Sequence, residues 1–268
     1  MDSLSLPNRP PVPGIFGRKT FLAGAALLFL AGLAGAEGAF TEVDVDGHRC
    51  LVSSAEGLPA DAPVVLILHG YGTNGDEMTG LCGPLHLPPC LFVMPDGPLP
   101  AAHSASVDHA WYDRITHSRS DIERSRKYLF TLMRYFSRDY PDPPGPGRAS
   151  QARPVILMGF SQGAVMTLEA GVTYPGKVLA LACMSGYMPE PDKTLAHPAA
   201  PRDTPILMTH GTMDIVVQDD STDQTLQALR KAGYHPILKE YPAGHHLTAG
   251  MILDVSQFLQ RAMAHAKD

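Results

Sequence analysis

Met158-Gly159-Phe160-Ser161-Gln162-Gly163-Ala164-Val165-Met166 decides how this chain is read. The apolar run Val155-Ile156-Leu157 precedes it and reads as a buried strand. Val165-Met166-Thr167-Leu168-Glu169-Ala170 closes it and reads as the opening turns of a helix. Gly159-Phe160-Ser161-Gln162-Gly163 therefore matches G-x-S-x-G in the strand–turn–helix context that the motif requires. A sharp turn there lifts the Ser161 hydroxyl above a sheet, and the flanking glycines let strand and helix approach without Cβ clashes. The start of the helix points backbone N–H groups at any negative charge forming beside Ser161. The plainer reading is a Gly-rich turn in which Ser161 caps a helix.

Working outward from this turn, strand-like and helix-like segments alternate. Val64–Leu68 is continuously apolar, as a central strand buried on both faces would be. It runs into the Gly-rich stretch His69-Gly70-Tyr71-Gly72-Thr73-Asn74-Gly75, where no Lys-Ser or Lys-Thr follows to make a phosphate loop. Residues 90–94 read as the next strand, closed by Pro95-Asp96-Gly97-Pro98, with Asp96 fixing the turn. Ile122, Tyr128, Leu129, Leu132, Met133 and Phe136 recur at helical spacing and predict a helix over 121–136. Further strands are predicted at Val178–Met184, 206–209 and 236–241, and helices over 220–232 and 251–264, with Gly233 ending the first. Toward the N-terminus, Phe40–Val45 and His48–Ser53 flank Asp46-Gly47, a strong hairpin signal. The alternation predicts an α/β fold: a mostly parallel central sheet, helices on both faces, and an N-terminal β-hairpin. The Pro/Gly stretch 141–147 is read as a loop, which leaves residues 37–268 as one domain.

The 268 residues carry a net charge of −6, so no electrostatic argument favours nucleic acid. Residues 1–36 stand apart. A polar, Pro-rich start leads to Arg18-Lys19, then to an uncharged apolar run over 21–36 that ends in Ala34-Gly35-Ala36. This is the pattern of a secretory signal peptide and predicts export to the periplasm or the medium, with no stable membrane span in the mature chain. An uncleaved anchor through 21–36 is the alternative. Among the four cysteines, Cys82 and Cys90 flank a Pro-rich turn at a spacing that a local disulfide fits, a pairing the sequence leaves open; Cys183, in a central strand, reads as buried and free, and Cys50 would then be unpaired too. Residues 99–120 show no period but hold His103, Asp108, His109, Trp111, Tyr112, Asp113 and His117. Their spacings fit no helical ligand pair, so no metal and no other cofactor is expected, and the segment reads as a loop walling a cleft.

A serine hydroxyl is a poor nucleophile near neutral pH and needs a base, itself oriented by an acid. The chain supplies Ser161, then Asp214 after the 206–209 strand, then His245 after the 236–241 strand. That order, Ser–Asp–His, is the one used on α/β-hydrolase sheets. Leu68-His69-Gly70-Tyr71-Gly72, Met94-Pro95-Asp96-Gly97-Pro98, Ala110-Trp111-Tyr112-Asp113, Gly159-Phe160-Ser161-Gln162-Gly163-Ala164, His210-Gly211-Thr212-Met213-Asp214 and Gly244-His245 together resemble the phospholipase/carboxylesterase family, which includes acyl-protein thioesterases. The resemblance runs from about Val64 to the C-terminus. It implies Ser161 as nucleophile, His245 as general base, Asp214 as orienting carboxylate, and the backbone N–H groups of Tyr71 and Gln162 as oxyanion donors. His69 and His210 are structural by the same analogy. His246 is the neighbouring alternative to His245. Asp219 and Asp220 are alternatives to Asp214, placed where a helix N-terminus is expected. Trp111, Met213, Val216 and Leu247 are candidates for binding the substrate, although such residues are more often plain core. The expected activity is hydrolysis of small-molecule or acyl carboxylic esters through an acyl-enzyme. Thioester hydrolysis, peptidase or polyester depolymerase activity on the same triad, and a binding protein with an idle triad, are the alternatives. Oligomeric state is not legible in the sequence.

Overall fold

A computed structural model describes residues 40–102, 108–140 and 152–265. The export signal read over 1–36, the loop 141–147 and His103 lie outside the described residues. The chain enters through β1 (Phe40–Val45) and β2 (His48–Ser53), paired antiparallel across Asp46-Gly47. Both turn residues have positive φ, 54° and 77°, as a two-residue hairpin turn demands. Then follow β3 (Val64–Leu68), α1 (Gly75–Met78), β4 (Leu91–Pro95), the short strands β5 (Leu99–Pro100) and β6 (His109–Ala110), and α2 (Arg119–Arg138). The second half holds β7 (Val155–Phe160), α3 (Gln162–Gly171), β8 (Val178–Met184), α4 (Pro191–Thr194), β9 (Ile206–Gly211), α5 (Asp219–Lys231), β10 (Ile237–Tyr241) and α6 (Ala249–His265).

Eight strands form one sheet in the order β1-β2-β4-β3-β7-β8-β9-β10. β2 runs antiparallel to β1 and β4, and every pairing from β4 across to β10 is parallel. This is an α/β-hydrolase sheet. Its central strands β3 and β7 are buried at every residue, which is why they read as unbroken apolar runs. Alternate residues serve opposite faces. Leu66, Leu68 and Leu157 share a cluster with Leu129 and Leu132 of α2 and Leu168 of α3. Val65, Ile67, Ile156 and Met158 share the other with Val255, Leu259 and Met263 of α6. Each fully buried side chain of this size contributes about 2 kcal/mol of transfer free energy, so both faces are firmly covered.

The ends of elements follow local chemistry. α5 stops at Gly233, whose φ is 89°: Gly233 N–H donates to Arg230 O and Tyr234 N–H to Leu229 O, each at 3.0 Å. α2 starts earlier than its apolar spacing predicts because the Ser118 hydroxyl accepts from Asp121 N–H and caps it. α4 is a single turn opened by Pro191 within a stretch that reads as a plain Pro-rich connection, and one turn is too short to show a period. The Cys82–Cys90 disulfide that the sequence leaves open is not formed: all four cysteines are free. Cys82 and Cys90 pack on the apolar cluster below α6 as neutral thiols, burial pushing each up to about 12. Among the described residues, no helix is long and apolar enough to cross a membrane. Because β3, β4, β7, β8, β9 and β10 run parallel, the loops that follow them gather along one edge of the sheet, where open α/β sheets place their sites.

Candidate active site

Ser161 joins β7 to α3 with φ 56° and ψ −119°, a backbone conformation that costs a non-glycine residue on the order of 1–3 kcal/mol. The turn is held by Ser161 N–H donating to Met184 O at 2.9 Å and by Ala164 and Val165 N–H donating to Ser161 O. Its tightness depends on glycine: a Cβ on Gly159 would lie 2.5 Å from Gly163 C, and one on Gly163 would lie 2.2 Å from Leu68 O. Ser161 sits at the N-cap position of α3, yet its hydroxyl caps nothing. Instead Oγ lies 2.8 Å from His245 Nε2. That distance decides against the plain capping reading.

His245 reaches Ser161 because pairing continues past the ends of β9 and β10. Thr212 N–H donates to Tyr241 O at 2.8 Å and Met213 N–H to Ala243 O at 2.9 Å. Only a glycine at 211 permits this, since a Cβ there would meet Ala243 O at 2.4 Å. The His245 ring packs against Phe160 with centroids 4.9 Å apart, and its Nδ1 lies 2.7 Å from Asp214 Oδ2. The Asp214 side chain has no exposed surface. Its Oδ1 accepts from Val216 N–H at 2.8 Å and Val217 N–H at 2.9 Å. Burial works against its charge, but the hydrogen bonds from His245, Val217 and Val216 outweigh burial and hold the carboxyl below its ordinary value. An ionised carboxylate accepts only, so Nδ1 carries the imidazole proton and Nε2 is left to accept from the Ser161 hydroxyl. The array can thus draw a proton from Ser161 while Asp214 balances the imidazolium that forms.

The alternatives are placed elsewhere. His246 is exposed. Asp219 lies 2.8 Å from buried His210 Nε2, and Asp220 is exposed on the first turn of α5. Gln162 opens α3, so its backbone N–H has no partner within the helix. Tyr71 lies in the loop after β3, half-buried, with the Arg114 guanidinium 5.3 Å from its ring centroid. Met213 and Val216 flank Asp214 with exposures of 61% and 64%, beside Ile215 at 90%, whereas Leu247 is partly buried against the cluster below α6. The reading of Trp111 as a substrate-binding residue is corrected: it is fully buried, and its indole Nε1–H donates to His69 O at 2.9 Å. The Gln162 side chain was missed altogether. Its Oε1 accepts from Trp111 N–H at 2.8 Å, and its Nε2 donates to Tyr112 O at 2.7 Å. The signal available was one amide side chain in an otherwise apolar helix start. Asp96 holds the neighbouring loop, its Oδ1 accepting from Gly75 N–H at 2.8 Å. Among the described residues, no group of three or more His, Cys, Asp or Glu side chains is placed to hold a metal ion.

His69 locks the loop before Tyr71. Gly97 N–H donates to its Nε2 at 2.8 Å, so Nδ1 carries the proton and faces Gly70 O at 2.6 Å. Burial drives its pKa down to about 4 from 6.5. The unfolded chain therefore takes up this proton first as pH falls. Stability should drop between pH ~6.5 and ~4 by about 3 kcal/mol from this group, and be unaffected by it above that window. Urea unfolding at pH 7 and pH 4 reads this directly. His69→Gln, which cannot titrate, should show a shallower pH dependence by that amount, and parallel curves for the two proteins would remove the assignment.

A family model described as Phospholipase/Carboxylesterase matches residues 52–263. Acyl-protein thioesterase 1 of Candida albicans is 26% identical over 223 residues, covering 77% of this chain and 94% of that protein. Among solved structures, esterase PE8 superposes with a TM-score of 0.66 at 26% identity, covering 79% of this chain and 97% of that one. Arabidopsis thaliana SOBER1 superposes with a TM-score of 0.64 at 22% identity, covering 75% and 100%.

Proposed function

The chain belongs to the phospholipase/carboxylesterase family, which makes it a serine hydrolase of the esterase and thioesterase kind, and from that premise we propose that it is a serine carboxylesterase working through an acyl-enzyme on Ser161. The observation that carries the proposal is the unbroken line from Ser161 Oγ through His245 to Asp214, at 2.8 Å and 2.7 Å. Ser161 Oγ attacks the ester carbonyl carbon and its proton passes to His245 Nε2. The tetrahedral oxyanion takes the backbone N–H groups of Tyr71 and Gln162. Collapse breaks the bond to the alcohol oxygen, which leaves with the proton from Nε2. Water then attacks the acyl carbon and gives a proton to Nε2. The second collapse frees the acid, and the proton returns to Ser161 Oγ. Met213 and Val216 supply apolar surface at the rim for the acyl group. Thioesters are the second reading, because the Candida albicans relative is an acyl-protein thioesterase.

A fluorophosphonate probe, with p-nitrophenyl acetate hydrolysis alongside, tests the proposal. The wild-type protein should be labelled stoichiometrically and hydrolyse the ester. Ser161→Ala should do neither, losing about 10⁶-fold in kcat. Unlabelled wild-type protein would mark an idle site that only binds, and near-full activity in Ser161→Ala would refute the nucleophile.

A further inference from the structure

We propose that Trp111 is a positioning residue that braces the two oxyanion donors against each other, and that the segment His109 to Tyr112 is the bar that carries the brace. The inference rests on the hydrolase reading above and adds to it the part that sets the donor spacing. Tyr71 and Gln162 are far apart in sequence and belong to different elements, the loop after β3 and the start of α3. The pairing of β3 with β7 ends at Leu68 and Gly159, before either donor is reached. The segment 109–112 lies between them and bonds to both. Toward the Tyr71 loop, Gly72 N–H donates to His109 O at 3.0 Å, His109 N–H to Thr73 O at 3.1 Å, and the Trp111 indole N–H to His69 O at 2.9 Å. These contacts bracket Tyr71 on both sides. Toward the elbow, the Gln162 amide grips the backbone at both ends of one peptide step, Trp111 N–H at 2.8 Å and Tyr112 O at 2.7 Å.

The brace is stiff because its middle is buried and fully used. Trp111 has no exposed surface, and its ring lies 5.3 Å from the His69 ring and 6.5 Å from that of Tyr128. Its carbonyl accepts from the Ser125 hydroxyl on α2. Gln162 is 5% exposed, so an apolar side chain there would leave Trp111 N–H and Tyr112 O buried without partners. The two links lie in series: the Tyr71 loop to the 109–112 segment, in which the indole bond to His69 O is the side-chain part, then the Trp111 backbone to Gln162. Loosening either one loosens the spacing of the two donors. Loosening both does little more.

That series arrangement is what an experiment can read. Trp111→Phe removes the indole bond to His69 O, the side-chain part of the first link, and keeps a ring; Gln162→Met removes the second link and keeps the backbone N–H of residue 162. Each should lower kcat for p-nitrophenyl acetate by about tenfold or more, because donors displaced by a fraction of an ångström lose the developing charge. KM should stay within about twofold, since Trp111 does not touch substrate. Inhibition by phenylboronic acid, whose adduct on serine is tetrahedral and anionic, should weaken by the same factor as kcat. The double variant should fall no more than about twofold below the worse single one. Multiplying losses, a change confined to KM, or a folded Trp111→Phe with wild-type kcat would overturn the brace. If Trp111→Phe does not fold, Gln162→Met alone carries the kcat and inhibitor comparison; failure of both to fold would make the segment mere core and overturn it too. Wild-type protein that neither hydrolyses the ester nor binds the boronate would sink the hydrolase reading and the brace together. Active wild type with unchanged variants sinks the brace alone.

Discussion

Asp214→Asn is expected to lower kcat for ester hydrolysis by about 10⁴-fold while leaving the fold intact. Asp214 Oδ1 accepts from two backbone N–H groups, those of Val216 and Val217. An asparagine there must keep its carbonyl oxygen on that side, because its NH₂ would oppose two donors. The NH₂ is thereby forced toward His245, where it donates to Nδ1. The imidazole then carries its proton on Nε2 and presents a donor to Ser161 Oγ, so it can no longer take the serine proton. Asp214→Ala should cost a comparable factor in rate, and should also destabilise the 212–217 loop, which loses both capping bonds. Steady-state kinetics on p-nitrophenyl acetate, with thermal melting alongside, separates the two effects. A loss of less than tenfold in Asp214→Asn would mean that the Asp214 carboxylate does not orient the base.

How much of this was legible in the sequence depended on whether the signal was local. Val64–Leu68 and Val178–Met184 read correctly because a strand covered on both faces must be apolar throughout. The Asp46-Gly47 hairpin and the Gly233 helix stop were legible because positive φ restricts which residues can sit there. Ser161, Asp214 and His245 were nameable from chain order, since each follows a strand whose C-terminal end faces the same edge. What failed was non-local. Trp111 reads as an exposed cleft aromatic until His69 O is seen to satisfy its indole, and that oxygen lies on a different loop. The Gln162 side chain looks like a passing polar residue until the Trp111–Tyr112 peptide is laid against it. Cys82 and Cys90 are near in sequence and pack on one apolar cluster, yet proximity along the chain says nothing of whether two thiols join. Asp219 sits at the start of α5, but its partner His210 comes from β9, a pairing no spacing rule supplies.

Gly163→Ala should be the most damaging single methyl group that can be added to this protein's elbow. A Cβ at 163 would lie 2.2 Å from Leu68 O, 2.5 Å from Leu68 C and 2.6 Å from His69 O. All three are backbone atoms in or just after the central strand β3, so no side-chain rotation relieves the overlap. α3 would have to move away from the sheet, carrying Ser161 and the Gln162 N–H with it, while Leu68 and His69 are held by β7 and by the Gly97 and Trp111 bonds. The expected cost is at least about 3 kcal/mol, at the upper end of what an overpacked core shows. That corresponds to a fall in Tm of roughly 6 °C for a chain of this size. Any folded fraction should lose at least about 10²-fold in kcat, because the nucleophile and one oxyanion donor move together. Gly70→Ala is the matched control. Its Cβ would meet nothing closer than 3.6 Å, the Ser161 Cβ, so its Tm should stay close to the wild-type value. Equal melting temperatures for Gly163→Ala and Gly70→Ala would show that α3 is not pressed against β3 through this glycine, and the tight elbow that holds Ser161 in its strained conformation would need another cause.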